Sequence, residues 1–341
     1  MPTATAFALA ALLGLGLAPI GIRVAWAVGF LDHPEARKLH ASATALLGGL
    51  VVFAAALLSW FAILLVRAGA TEPQPVFLIA GAIVALLLGL WDDRYGMHPV
   101  FKLSGQALSA AFLLASGAVL DLGWPGPLEL VITVVALVAL MNAVNFLDNM
   151  NGMVAGLAGI ALVGFSIGSL ARGDEGVAAA QLALAGACAG FLPFNFPRAR
   201  MFLGDAGSLF LGYSLGASAV LAFQGAPRGW GQIGPLLVLA YPAFDMTFVV
   251  INRLRERRRI YEGGRDHSNH RLASVLKCQT RTVLLLWLMG AALCASGLVV
   301  QRLDQPAPAV LLSGFWVVVF VWAGIWLSSV PVARSHPAPT L

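Results

Sequence analysis

The chain is 341 residues long, 59% hydrophobic and only 11% charged, with net charge +5 and a mean hydropathy of +0.85. Soluble domains carry about 25% charged residues, so a water-soluble globular fold is excluded. Three cysteines (Cys188, Cys278 and Cys294) at unrelated spacings make neither a disulfide framework nor a metal motif, and they read as small packing residues.

A helix that crosses a bilayer needs about 20 mainly apolar residues. On that rule the sequence predicts eleven spans, near 5–28, 45–66, 76–91, 103–120, 128–145, 153–171, 177–193, 207–223, 233–252, 282–301 and 308–330. The expected fold is all-α and polytopic, a single transmembrane domain over 1–341. The first segment lacks a basic n-region and a cleavage site, so it reads as a retained span. The Pro-rich tail after Val330 reads as disordered.

Lysine and arginine fall unevenly between the connections: sixteen lie on one side and four on the other, with Arg23 inside the first span. The crowded side is expected to be cytoplasmic, which puts the N-terminus outside and the C-terminus inside. The positive charge then reflects topology and anionic headgroups and gives no reason to invoke nucleic acid.

Polar clusters on the crowded side follow one another along the chain. The first runs Asp32-His33-Pro34-Glu35-Ala36-Arg37-Lys38-Leu39-His40 and leads to Gly48-Gly49. Its basic residues read equally as membrane anchors. The second, Asp92-Asp93-Arg94-Tyr95-Gly96, abuts the third apolar run and is followed by Lys102 and, one helical turn later, Gln106. Adjacent carboxylates repel, and one proton or one divalent cation relieves them.

The third cluster packs Asn142, Asn145, Asp148, Asn149, Asn151 and Gly152 behind a long apolar segment, with Asn142, Asn145 and Asn149 at helical spacing. In the fourth, Gly204-Asp205 with Gly207-Ser208 opens a helix whose free N–H groups favour an anion. The plainer alternative is that Asp205 and Ser208 only cap that helix. The fifth and longest connection carries five arginines between Arg253 and Arg259, which read first as topology anchors. It continues Gly263-Gly264-Arg265-Asp266-His267-Ser268-Asn269-His270-Arg271-Leu272. His267 and His270 are three apart and suit a phosphate or sugar better than zinc. Asp245, inside the ninth span near Pro242, reads as a hydrogen-bond partner at a helix bend or as a catalytic group.

Taken in order from Asp32 to Leu272, these five clusters resemble the polyprenyl-phosphate N-acetylhexosamine-1-phosphate transferase superfamily, glycosyltransferase family 4. His267-Ser268-Asn269-His270-Arg271-Leu272 is similar to its N-acetylglucosamine branch. The resemblance implies transfer of a sugar 1-phosphate, most simply N-acetylglucosamine 1-phosphate, from a UDP-N-acetylhexosamine to a polyprenyl phosphate such as undecaprenyl phosphate. UMP is released and Mg²⁺ is the cofactor, with Mn²⁺ an alternative. It also implies a place in the bacterial cytoplasmic membrane, at the first membrane step of cell-surface glycan synthesis, and relatives suggest a homodimer. Three positions depart from the family pattern: Ala45 replaces a proline, Asn269 a histidine and Asn151 an aspartate.

What the resemblance implies for individual residues is specific. Asp205 binds the metal, with Asn145 second and Asp93 third. Asp92 and Asp93 position the acceptor phosphate and take any proton it retains. Lys102, Lys38, Arg265 and His267 offset phosphate charge. Asp148 and Asn151 hold the nucleotide, and His40, Asn142, His270 and Arg271 complete the substrate-binding set. Two other classes compete with this reading: a secondary transporter, and a noncatalytic scaffold of the same fold.

Overall fold

The computed structural model describes residues 2–33, 43–67, 73–226, 228–259 and 264–331. Thirteen α-helices account for most of the described chain. The expected all-α polytopic membrane fold is borne out: nine helices among the described residues are long and apolar enough to cross a membrane, and a bent pair makes a tenth.

In chain order the helices are α1 (Pro2–Ala27), α2 (Gly48–Arg67), α3 (Pro73–Tyr95), α4 (Pro99–Ala115), α5 (Gly126–Leu147), α6 (Met153–Ala171), α7 (Glu175–Asn195) and α8 (Gly204–Gln224). There follow α9 (Ile233–Val238), α10 (Ala240–Arg255), α11 (Ser268–Leu276), α12 (Gln279–Leu303) and α13 (Pro306–Ser328). A two-residue antiparallel pair, β1 (Leu31–Asp32) with β2 (Thr44–Ala45), closes the connection between α1 and α2.

Several expected boundaries shift, each for a local reason. The third span runs on to Tyr95, so Asp92 and Asp93 form the last helical turn of α3 rather than a loop. The fourth is shorter than expected, at 17 residues: Pro99 sits at its start, where a missing N–H costs nothing, and Ser116 and the left-handed Gly117 end it. The ninth span is broken, with α9 and α10 meeting at 67° around Leu239. Asp245 therefore lies six residues beyond the bend, not in it. The fifth connection contains a helix of its own, α11. The cysteines are free, and Cys188 and Cys294 are buried, as packing residues should be. Lys38, His40 and the tail from Val332 lie outside the described residues.

Helix α8 is the centre of the bundle. Small residues fill it, and most of its length is buried against α2, α3, α5 and α6. A side chain on Gly89 of α3 would collide with the backbone of Asp205 and Ala206, and one on Gly49 of α2 with Gly207. Small residues let spanning helices approach this closely. The start of α8 is thus wedged between the last turns of α3 and the first turn of α2. The hydrogen bonds from Gly48 and Gly49 N–H to the carbonyls of Phe202 and Leu203, at 3.0 and 2.9 Å, fix the wedge. Ala45, standing where the family pattern has proline, is buried and accepts from Phe202 N–H at 2.8 Å.

Candidate active site

Four separate junctions meet at the end of the bundle where α8 begins. Gly204 has φ +73°, a conformation that glycine adopts without strain, and a side chain there would press on the Asp93 carboxylate. The turn it makes points the first free amides of α8 at α3. Asp93 Oδ1 accepts from Asp205 N–H at 2.9 Å and Oδ2 accepts from Ala206 N–H at 3.0 Å. The group at this helix start is the carboxyl of Asp93, which caps α8 from another helix. Neither Asp205 nor Ser208 caps it with its side chain.

Asp205, freed from capping, faces the cluster. The ammonium of Lys102, near the start of α4, donates to Asp205 Oδ2 at 2.7 Å and Asn145 Oδ1 at 3.0 Å, and forms an ion pair with Asp92 Oδ2 at 2.7 Å. Asn145 on α5 donates from Nδ2 to Asp205 Oδ1 at 2.7 Å and to Ser208 Oγ at 2.8 Å. One helical turn back, Asn142 and Gln106 form a reciprocal amide pair, with Asn142 Nδ2 donating at 2.7 Å and Gln106 Nε2 at 3.3 Å. That pair locks α4 to α5 and so fixes Lys102 relative to Asn145.

Asp148 ends α5 as its C-terminal cap residue. Burial, followed by the negative charges of Asp205 and Asp93, pushes its carboxyl well above the usual carboxylate range. Asp93, Asp148 and Asp205 thus share one electrostatic environment. Helix α5 stops at Leu147, so Asn149 does not continue the Asn142–Asn145 face. It turns instead to accept from Asn269 Nδ2 at 2.7 Å. Asn151 donates to the Pro197 carbonyl at 3.2 Å and lies half-buried between the α5–α6 and α7–α8 turns.

The histidine segment docks beside the end of α5. His267 Nδ1 lies 2.8 Å from Asp245 Oδ2, and Asp245 Oδ1 accepts from Ser268 N–H at 2.8 Å and Ser268 Oγ at 2.5 Å. The His267 ring packs edge-on to Phe146 and to His270, with centroids 6.3 Å away in each case. Burial, then the neighbouring charge of His267, pulls His270 down to about 4. The charge of Arg265 opposes its protonation as well.

Arg271 is not brought to the cluster. It is buried, its Nη1 donates to the carbonyls of Leu327, Ser328 and Val330 at 3.1, 3.2 and 2.9 Å, and it pins α11 to the end of α13. Arg253, expected as a topology anchor, is buried in a two-point contact with Asp266 at 2.8 Å through both Nε and Nη2. Asn195 was also missed as a positioning residue. It accepts from Gly152 N–H at 2.6 Å and donates to the Met201 carbonyl at 2.9 Å, tying the start of α6 to the turn that leads into α8. Its only sequence signal is an amide at the end of an apolar run.

The donor set suits a hard divalent cation. An ammonium already sits among two carboxylate oxygens and one amide oxygen, the ligand chemistry that Mg²⁺ prefers. Asp93, expected as a third ligand, has both oxygens accepting from the backbone of α8, and the neighbouring Asp92 is the one that pairs with the Lys102 ammonium.

Residues 75–223 match the family model for glycosyl transferase family 4. A Bacillus subtilis protein named "Probable undecaprenyl-phosphate N-acetylglucosaminyl 1-phosphate transferase" is 30% identical, over 87% of this chain and 84% of its own length. A decaprenyl-phosphate N-acetylglucosaminephosphotransferase of Mycolicibacterium smegmatis is 30% identical over 91% and 83%. An undecaprenyl-phosphate alpha-N-acetylglucosaminyl 1-phosphate transferase of Haemophilus influenzae is 28% identical over 86% of each. With the carboxylates of Asp92, Asp93 and Asp205 gathered at the end of a polytopic helix bundle and relatives matched nearly end to end, the chain belongs to glycosyl transferase family 4.

Proposed function

We propose that this protein transfers N-acetylglucosamine 1-phosphate from UDP-N-acetylglucosamine to a polyprenyl phosphate such as undecaprenyl phosphate. An oxygen of the lipid phosphate attacks the sugar-bearing phosphorus, the bond to the uridylyl phosphate breaks, and UMP leaves with the electron pair. The observation that carries the reading is Lys102 bridging Asp92, Asp205 and Asn145, because it joins three separate helix ends at one cation position. The active site faces the cytoplasm of a bacterial inner membrane, with the N-terminus outside, as the lysine and arginine asymmetry supports. A homodimer belongs to the same reading.

Two anions must meet, so positioning and charge neutralisation do most of the work in this class of reaction. Mg²⁺, when bound, supplies charge neutralisation on the diphosphate of the donor. Asp205, Asp92 and Asn145 would hold it. Lys102 then offers its ammonium to phosphate oxygens while remaining paired with a carboxylate. Asp93 keeps α8 in place by capping it. Asp148, which burial and its acidic neighbours hold toward the protonated form, can donate a hydrogen bond to a carbonyl acceptor on the nucleotide, with Asn151 beside it. Asp245 fixes the His267 ring through Nδ1, leaving Nε2 for a phosphate or sugar oxygen. His270, neutral near pH 7, offers a hydrogen bond rather than a charge.

The test is direct. Purified protein with Mg²⁺, polyprenyl phosphate and radiolabelled UDP-N-acetylglucosamine should yield a lipid-linked sugar and UMP. No product from any UDP-N-acetylhexosamine would defeat the enzyme reading.

A further inference from the structure

Lys102 is saturated by the protein around it. An ammonium has three hydrogens to donate and nothing to accept with. Three oxygens stand within hydrogen-bonding distance of this one: Asp92 Oδ2 at 2.7 Å, Asp205 Oδ2 at 2.7 Å and Asn145 Oδ1 at 3.0 Å. For Lys102 to neutralise a phosphate, at least one of these contacts has to break.

The same three oxygens are the ones whose chemistry suits a divalent cation. Asn145 is turned for that purpose. Its Nδ2 donates to Asp205 Oδ1 at 2.7 Å and to Ser208 Oγ at 2.8 Å, which leaves its carbonyl oxygen facing the ammonium. Ser208 is fully buried, so the amide is oriented from the protein side. An ammonium and a dication drawing on the same oxygens would repel each other at close range, where partial burial weakens screening.

The fold allows one of them to give way. The Asn142–Gln106 amide pair ties α5 to α4 at 2.7 Å, one turn from Lys102, and holds the backbone still. The ammonium, in contrast, rides on a flexible four-carbon stem. The Asp205 side chain is 34% exposed against 13% for Asp92, so the cluster is open on the Asp205 side.

We propose that Lys102 competes with the divalent cation for the oxygens of Asp92, Asp205 and Asn145. Its ammonium holds the three together until a dication takes them, and the displaced ammonium then has hydrogens for phosphate oxygens. Loading the site and freeing Lys102 are one event. Metal affinity of the protein alone is therefore held below what its oxygens would give, and loss of Lys102 strengthens metal binding. The inference rests on the catalytic reading above, but its tests contain neither sugar nor lipid, so their outcome is separate from that of the transfer assay.

The full chain in detergent is titrated with Mn²⁺ alone, and electron paramagnetic resonance of the free aquo ion reads how much is bound. Lys102→Met keeps an apolar stem without the charge. It should bind Mn²⁺ about tenfold more tightly than the unaltered chain, within the range of about 5–150-fold usual for coupled binding events. Lys102→Arg keeps the charge and should stay near the unaltered affinity. A purely structural lysine would give the opposite, a loosened cluster and weaker binding. Asp205→Ala added to Lys102→Met should remove the tight binding, and binding that survives it would place the ion elsewhere and overturn the proposal. Equal or weaker Mn²⁺ binding by Lys102→Met would overturn it as well. A second measurement needs no variant. Labelling by acetic anhydride, read by peptide mass spectrometry, should rise severalfold at Lys102 when Mg²⁺ saturates the unaltered chain, and stay level at exposed Lys277. Should Lys102→Met fail to fold, a Lys102 signal that Mg²⁺ leaves unchanged or lowers would sink the idea by itself.

Discussion

Asp93 and Asp205 stand 112 residues apart in sequence, and the carboxylate of one receives the backbone N–H of the other at 2.9 Å. This contact is the hinge of the site. One acidic side chain holds a helix start in place, and the other, Asp205, is left to accept from Lys102 and Asn145. A neighbouring aspartate, Asp92, is left to share the cation position with it.

The contact makes a first prediction. Asp93→Ala removes both acceptors and leaves two helix-start amides unpaired, which shifts α8 and Asp205 with it. Turnover should fall about 100-fold, the scale of an ångström-sized misplacement of catalytic groups. The loss of cap should cost about 1–2 kcal/mol of stability, read as a lower Tm in detergent. Asp93→Asn keeps one acceptor oxygen and should lie between. Near-normal activity in the alanine variant would show that Asp205 does not depend on this cap.

A second prediction concerns the cation position. Chelation by EDTA should abolish UMP release and added Mg²⁺ should restore it. Asp205→Ala should remove turnover at every Mg²⁺ concentration without impairing membrane insertion. Asp92→Asn should instead raise the Mg²⁺ concentration needed for half-maximal rate, because one of two carboxylates remains. EDTA-resistant turnover would rule out the metal.

The pair Asp245 and His267 supplies a third. Buried and bonded to Ser268 as well, Asp245 holds His267 through Nδ1 at 2.8 Å. Asp245→Asn keeps the shape but favours the other tautomer, as an amide donates where a carboxylate accepts. We expect kcat to fall about 100-fold with KM little changed, a milder form of the loss seen when a triad aspartate becomes asparagine. A matching fall in Tm with unchanged kcat would make Asp245 purely structural.

These outcomes bear on how much the amino-acid pattern revealed. Long apolar runs gave the helices within a few residues, because a bilayer demands about 20 apolar positions whatever the tertiary fold. Clusters such as Asp92-Asp93 and Asn145–Asp148 stood out because polar groups are costly there. Division of labour among them was not legible. Whether Asp92 or Asp93 faces a cation depends on which one meets the start of α8, a relation set by close packing at Gly89 and Gly204 and not by local spacing. The break at Leu239 was hidden as well, since Pro242 suggested a bend further along. Arg271 and Arg253 looked like binding or anchoring charges because partners such as the Leu327 carbonyl and Asp266 lie across a turn or another helix.

The last prediction concerns the fifth connection. Hydrogen bonds and charge from Arg253 outweigh the effect of burial on Asp266 and hold its carboxyl down at about 2. Its folded-state value lies below the unfolded one, so the stability it contributes is present in full above about pH 4 and is lost as pH falls through about 2. From the size of the shift that contribution is about 2 kcal/mol. Half-exposed Arg258, 3.0 Å from the same carboxylate, should add little. Asp266→Asn leaves Arg253 buried without its counter-charge and should destabilise the protein by about 3–5 kcal/mol at neutral pH, while replacing both residues by leucine should cost far less. Thermal unfolding in detergent, scanned from pH 2 to 7, measures each arm. A slope between pH 2 and 4 that disappears in the double leucine variant would assign it to this pair, and a slope that persists there would assign it elsewhere. Because Asp266 immediately precedes His267, loss of the pair should also loosen the His267–Asp245 contact, so sugar transfer should decline in Asp266→Asn even at temperatures where the fold is intact.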